Sequence, residues 1–182
     1  MSDRFRVRRS RGAVSGVALA LLGLWGILIP FIGPIFGYAY SPATAWTYTT
    51  GRLWLEILPG AATLLAGLIL LGGANRVTGL FAGWLAAVAG AWFVVGPVLS
   101  TLWTLGLPAA GAPVGLGVVQ RAMEQIGFFS GLGVVITFFG ALALGRMTVL
   151  GVRDVAPPAE HRRREAVEPV GSERDYETHR TE

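Results

Sequence analysis

Residues 77–103 read VTGLFAGWLAAVAGAWFVVGPVLSTLW, twenty-seven positions without a charged side chain. A helix rising 1.5 Å per residue crosses a ~30 Å hydrocarbon core in roughly 20 residues, so this stretch alone can span a bilayer. Working outward, the charge-free run continues to residue 120, and three more such windows cover 13–51, 57–75 and 125–145. The chain of 182 residues has 15 basic and 11 acidic side chains. Six of these lie in residues 1–12 and fourteen in residues 153–182. The interior holds only Arg52, Glu56, Arg76, Arg121, Glu124 and Arg146. Charged residues make up 14% of the chain, against about 25% in soluble domains. A soluble fold could not cover its surface with so few.

These windows predict helices at about 13–35, 53–73, 78–104 and 125–149. The expected fold is an all-α polytopic membrane protein of four transmembrane helices, arranged as two tandem two-helix repeats at about 13–75 and 77–150. A basic arm, residues 1–12, precedes this domain. A charged segment, residues 151–182, follows it and reads as a disordered tail with a short helix around 159–168. Six Arg and eight Asp or Glu in that tail, with few apolar residues, cannot bury enough surface to offset chain entropy.

Arginine placement sets the expected orientation. Arg4, Arg6, Arg8, Arg9 and Arg11 precede helix one, Arg76 sits between helices two and three, and Arg146 and Arg153 flank the end of helix four. The opposite side has Arg52 and Arg121, each with a Glu within four residues. Both termini are therefore expected in the cytoplasm. Tyr38, Tyr40, Trp46, Tyr48, Trp54 and Trp103 gather toward the other interface, where amphipathic rings prefer to lie. Ala43-Thr44-Ala45 resembles a signal-peptide cleavage site, but the apolar stretch before it is too long for an h-region. All basic residues are Arg, and with 26 Gly this points to a GC-rich bacterial genome and to the bacterial plasma membrane.

The two halves share the pattern G-x-W-x-x-x-x-P. Gly23, Trp25 and Pro30 match Gly90, Trp92 and Pro97, 67 residues apart. Each copy is followed by a loop Trp (Trp46, Trp103) and an Arg-to-Glu step that opens the next helix, Arg52–Glu56 and Arg121–Glu124. Small residues follow in each case: Gly60, Ala62, Ala66 and Gly67, then Gly131, Gly133 and Gly140. An even number of spans per half makes this a parallel repeat about an axis along the membrane normal. The unit, with Trp shortly before Pro and a Trp in the outer loop, resembles the SPW-repeat membrane proteins of bacteria and archaea. That family is built from two-helix units and named for a Ser-Pro-Trp motif. Here the motif positions read Ile29-Pro30-Phe31 and Gly96-Pro97-Val98. The resemblance covers about residues 20–145 and implies architecture only.

Candidate chemistry is sparse. Glu56 and Glu124 are the only acidic residues of the apolar region, and intramembrane carboxylates are functional candidates by default. Both fall in first helical turns, where the helix dipole and an Arg neighbour favour them. The pairs Arg52–Glu56 and Arg121–Glu124 are thus expected to be ion pairs. Pro30 and Pro97 are expected to kink or end their helices. Two four-residue stripes of small side chains, Gly79, Gly83, Ala87 and Ala91, then Gly133, Thr137, Ala141 and Gly145, let helix backbones approach closely within the bundle or against another subunit. Gly12, Gly16 and Ala20 do the same at the start of helix one.

There is no Cys, and the only His residues, His161 and His179, lie in the tail. Thiol chemistry and intramembrane imidazole ligation are therefore excluded. No nucleophile–base set, phosphate-binding glycine loop or metal-ligand spacing occurs. No catalytic residue, cofactor or metal is expected, and the chain does not read as an enzyme. Despite a net charge of +4, nucleic acid is not an expected partner. Arg162-Arg163-Arg164 is offset by Glu160, Glu165 and Glu168. The expected surroundings are the lipid bilayer and a membrane-protein partner or a second copy of the chain, with the cytoplasmic tail open to a further partner. The sequence points first to a non-enzymatic accessory or scaffolding subunit. The alternative is a small-solute transporter or channel using Glu56 and Glu124.

Overall fold

A computed structural model describes residues 10–72, 75–103 and 109–148. Most of the basic arm and the whole tail from 151, including the expected helix at 159–168 and the Arg162–Arg164 triplet, lie outside the described residues.

The described chain forms four helices, each long and apolar enough to cross a membrane. These are α1 (Ser10–Ile32), α2 (Thr50–Gly72), α3 (Arg76–Trp103) and α4 (Val118–Thr148). The protein is an all-α polytopic membrane protein. α1 runs two residues beyond Pro30 to Ile32 and then tightens into a 3-10 turn, Gly33–Phe36. Pro97, by contrast, does not end α3, which continues to Trp103. Ser100 Oγ donates to the Pro97 carbonyl at 2.7 Å there.

α4 begins seven residues before its expected start near 125. Its 31 residues reach about 46 Å at 1.5 Å per residue, well beyond a hydrocarbon core. Val118–Gln125 is exposed apart from Glu124 and includes Gln120, Arg121, Glu124 and Gln125, a composition suited to the polar headgroup zone rather than to hydrocarbon. Charge and hydropathy trace only the apolar part of a helix, and so place its start too late.

Packing follows glycines seven residues apart. Gly16 and Gly23 of α1 meet Gly67 and Gly60 of α2, while Gly83 and Gly90 of α3 meet Gly140 and Gly133 of α4. The contacts are reciprocal. A Cβ on Gly23 would lie 2.7 Å from the Gly60 carbonyl oxygen, and one on Gly60 would lie 3.1 Å from that of Gly23. In the other half, a Cβ on Gly90 would lie 2.7 Å from the Gly133 oxygen, and one on Gly140 would lie 3.1 Å from that of Gly83. Lipid supplies no hydrophobic drive for helix association, so such backbone approach is what holds each hairpin.

The expected four-residue stripes follow this seam only in part. Gly79, Gly83 and Gly133 are buried, Ala87 and Thr137 are half-buried, and Ala91, Ala141 and Gly145 are exposed. Four residues overshoot one 3.6-residue turn by roughly 40°, so a four-residue stripe walks off a face, whereas a seven-residue step returns within about 20°. Between these seams lies a core of Leu19, Leu70, Phe93, Phe129, Leu132 and Ile136.

Candidate functional site

Both second-position helices widen into one π-turn, Leu53–Ile57 in α2 and Ile126–Ser130 in α4. In the wide turn the Leu58 N–H bonds to the Leu53 carbonyl rather than that of Trp54, and the Gly131 N–H bonds to Ile126 rather than Gly127. Each turn thereby leaves a carbonyl without its usual helical donor. The repeated tryptophans supply it. Trp92 Nε1 donates to the Trp54 carbonyl at 2.9 Å, and Trp25 Nε1 donates to the Gly127 carbonyl at 3.2 Å. Trp25 and Trp92 are 67 residues apart and their acceptors 73, the same offset that relates Gly60 to Gly133 and Gly67 to Gly140. Each half thus hydrogen-bonds the π-turn of the other, which makes the role of the repeated Trp structural. Replacing Trp25 or Trp92 by Phe removes the donor and part of the ring's packing surface, and each is expected to cost at least about 1 kcal/mol. Unfolding of the solubilised protein in mixed micelles measures that loss.

The same offset corrects the reading of the charges. At 73 residues, Arg52 corresponds to Gln125 and Glu56 to Phe129, so the two Arg–Glu steps are not equivalent. No ion pair forms among the described residues within either step. Arg52, only 4% exposed, turns its guanidinium into loop carbonyls, donating to Thr47 at 2.6 Å, Pro42 at 2.7 Å and Tyr40 at 3.2 Å. Its Nε has no partner, and neither does Oε2 of the buried Glu56 beside it. Arg121 is exposed. Glu124 is fully buried and accepts from the Gly115 backbone N–H at 2.9 Å and from Gln120 Nε2 at 3.4 Å. Local spacing permitted the pairs; the loops supplied nearer partners.

Those loops close the end of the bundle opposite the start of α1 and the end of α4. Ser41 N donates to the Ala112 carbonyl at 2.8 Å and Val114 N to that of Ala39 at 3.1 Å, joining the first loop to the second. Gln120 Nε2 reaches the Gly37 carbonyl at 2.9 Å, and the Tyr38 hydroxyl donates to the Met123 carbonyl at 2.5 Å. Tyr40 donates to Gln125 Oε1 and packs edge-on to Phe129 with ring centroids 5.1 Å apart. Burial, then the charges of Glu124 and Glu56, push the Tyr40 phenol up to about 12. Burial and Glu124 likewise raise that of Tyr38. An unfolded tyrosine titrates near 10. The neutral phenol therefore stabilises the fold fully below pH about 10, and that contribution is lost as pH rises from about 10 through about 12. Thermal melts at rising pH should fall in this window, and less steeply for Tyr40→Phe.

Open cavities mark the surface of the described residues. A pocket of about 690 Å³ at the loop end is lined by Arg52, Thr49, Thr50, Ser41 and neighbouring loop residues. A groove of about 610 Å³ between α2 and α3 is lined by Trp54, Leu58, Trp92, Trp103 and small apolar side chains. A shallower one of about 430 Å³ between α3 and α4 includes Ala91, Thr137 and Ala141. Glu56 and Glu124 line none of them. Among the described residues, no trio of His, Cys, Asp or Glu comes together as a metal site. Sequence reasoning missed Gln120, Tyr38 and Tyr40 as partners, because each acts across more than eighty residues. No protein-family model, curated protein or solved structure matches the chain.

Proposed function

We propose that this protein is a non-enzymatic accessory or scaffolding subunit of the bacterial plasma membrane, an SPW-repeat-like bundle with both termini cytoplasmic that packs laterally against another membrane protein or a second copy of itself. The observation that carries this reading is where Glu56 and Glu124 lie. A transporter would direct them into a shared polar cavity, yet both are buried, line none of the described cavities, and Glu124 is occupied by Gly115 and Gln120. The polar groups at the loop end tie loops to helices, and the seven-residue glycine seams make each hairpin a rigid unit. The stripe members left outside the seams, Ala91 and Ala141, line the α3–α4 groove and give a neighbouring helix a place to approach.

Cross-linking in native membranes followed by mild-detergent purification tests this reading. A defined complex or a dimer, weakened by Ala141→Phe, is the expected result. A strictly monomeric protein that cross-links to nothing overturns it. Solute flux abolished by Glu56→Gln with Glu124→Gln, in protein that remains folded, would replace it with the transporter reading.

A further inference from the structure

The loop-end pocket and the α2–α3 groove adjoin at Trp54 and Trp103, which line both, one cavity polar and the other apolar. The polar end has one charged side chain, Arg52, and no carboxylate, with the hydroxyls of Ser41, Thr49 and Thr50 around it. Arg52 is held rigid by three carbonyls, while its buried Nε–H remains without a partner. A fixed cation with a spare donor beside hydroxyls suits a phosphate. The apolar end is walled by Leu58, Ala62, Leu85 and Val88 and opens sideways toward lipid.

The pseudo-symmetry shows that this opening is not a by-product of the repeat. At the corresponding seam between α4 and α1, Gly127 takes the place of Trp54, and the Tyr38 ring fills the space, with its Cζ 3.1 Å from where a Gly127 Cβ would lie. One seam is plugged and its counterpart is left open beside a cation.

We propose that the loop end of the α2–α3 seam binds one anionic phospholipid, its phosphate in the Arg52 pocket and an acyl chain along the groove. A free anion would use only the pocket and a helix only the groove, while a zwitterionic phospholipid, though it has a phosphate, would bring a second cation beside Arg52. An anionic phospholipid has both parts joined at the right place.

Native mass spectrometry of the full chain in detergent, titrated with phosphatidylglycerol, phosphatidylcholine or glycerol phosphate, tests the proposal. A single phosphatidylglycerol adduct is expected, about tenfold or more tighter than phosphatidylcholine. Arg52 variants disturb the fold, so two others carry the test. Thr50→Asp places a carboxylate at the mouth of the pocket, where the helix N-terminus tolerates it. Ala62→Phe fills the groove without touching the pocket. Each should weaken phosphatidylglycerol about tenfold, while Leu68→Phe, on an exposed face away from the groove, should leave it unchanged. Equal binding of the two lipids, indifference to both variants, or glycerol phosphate binding as tightly as phosphatidylglycerol would each overturn the proposal.

Discussion

Leucine in place of Gly23 or Gly90 is expected to disrupt the bundle. A Cβ on Gly23 would run into the Leu64 backbone and come within 2.7 Å of the Gly60 carbonyl oxygen; one on Gly90 would meet the Thr137 nitrogen at 2.6 Å and the Gly133 oxygen at 2.7 Å. These are backbone atoms of a packed helix, so no side-chain rotation relieves the clash. The helices must separate along the seam that holds each hairpin together. Overpacking a core typically costs about 1–3 kcal/mol, and a clash of backbone on backbone belongs at or above the top of that range. Even alanine at these positions should destabilise, although in a free helix it would be favoured by roughly 0.5–1 kcal/mol. Gly145 is the control: nothing lies within 4 Å of its Cβ position, so Gly145→Leu should melt like the parent. Unfolding midpoints in mixed micelles give the comparison directly. Equal midpoints for Gly23→Leu and Gly145→Leu would refute the glycine-seam account.

Arg52→Ala is expected to have a comparably large effect through a different cause. A cation in the first turn of a helix faces the unfavourable end of the dipole, so its place there must be stabilised by something else. That is the trio of carbonyls from Thr47, Pro42 and Tyr40. Removing the guanidinium leaves three acceptors without a donor. A buried acceptor left unsatisfied costs about 1–3 kcal/mol, and three lose their donor at once. Arg52→Lys keeps the charge but not the planar fork that reaches three oxygens, and should recover only part of the loss. The loop spanning 37–49 should also become cleavable by added protease in Arg52→Ala and stay intact in the parent.

Much of the architecture was legible in the residues. Six interior charges placed four spans within a few residues at most ends, because a charge inside hydrocarbon is costly enough to be avoided almost everywhere. The matched Trp25 and Trp92, with their prolines, pointed to two hairpins, and the structure explains their recurrence through two π-turn carbonyls. The Arg–Glu steps pointed to ion pairs that do not form. There the pattern was real, but its meaning depended on loops whose carbonyls and amides no local spacing could locate.

The division has a physical origin. Transfer into lipid acts on each residue almost independently, so composition along the chain suffices to determine which segments span and that the protein is an all-α bundle. The start of α4, the choice of seven-residue over four-residue seams, the partners of Arg52 and Glu124, and the open groove beside Trp54 and Trp103 were decided only by tertiary structure. Each depends on which backbone atoms of a distant segment come within a few ångströms, and short-range sterics and hydrogen bonding leave no periodic trace in the sequence before the chain is folded.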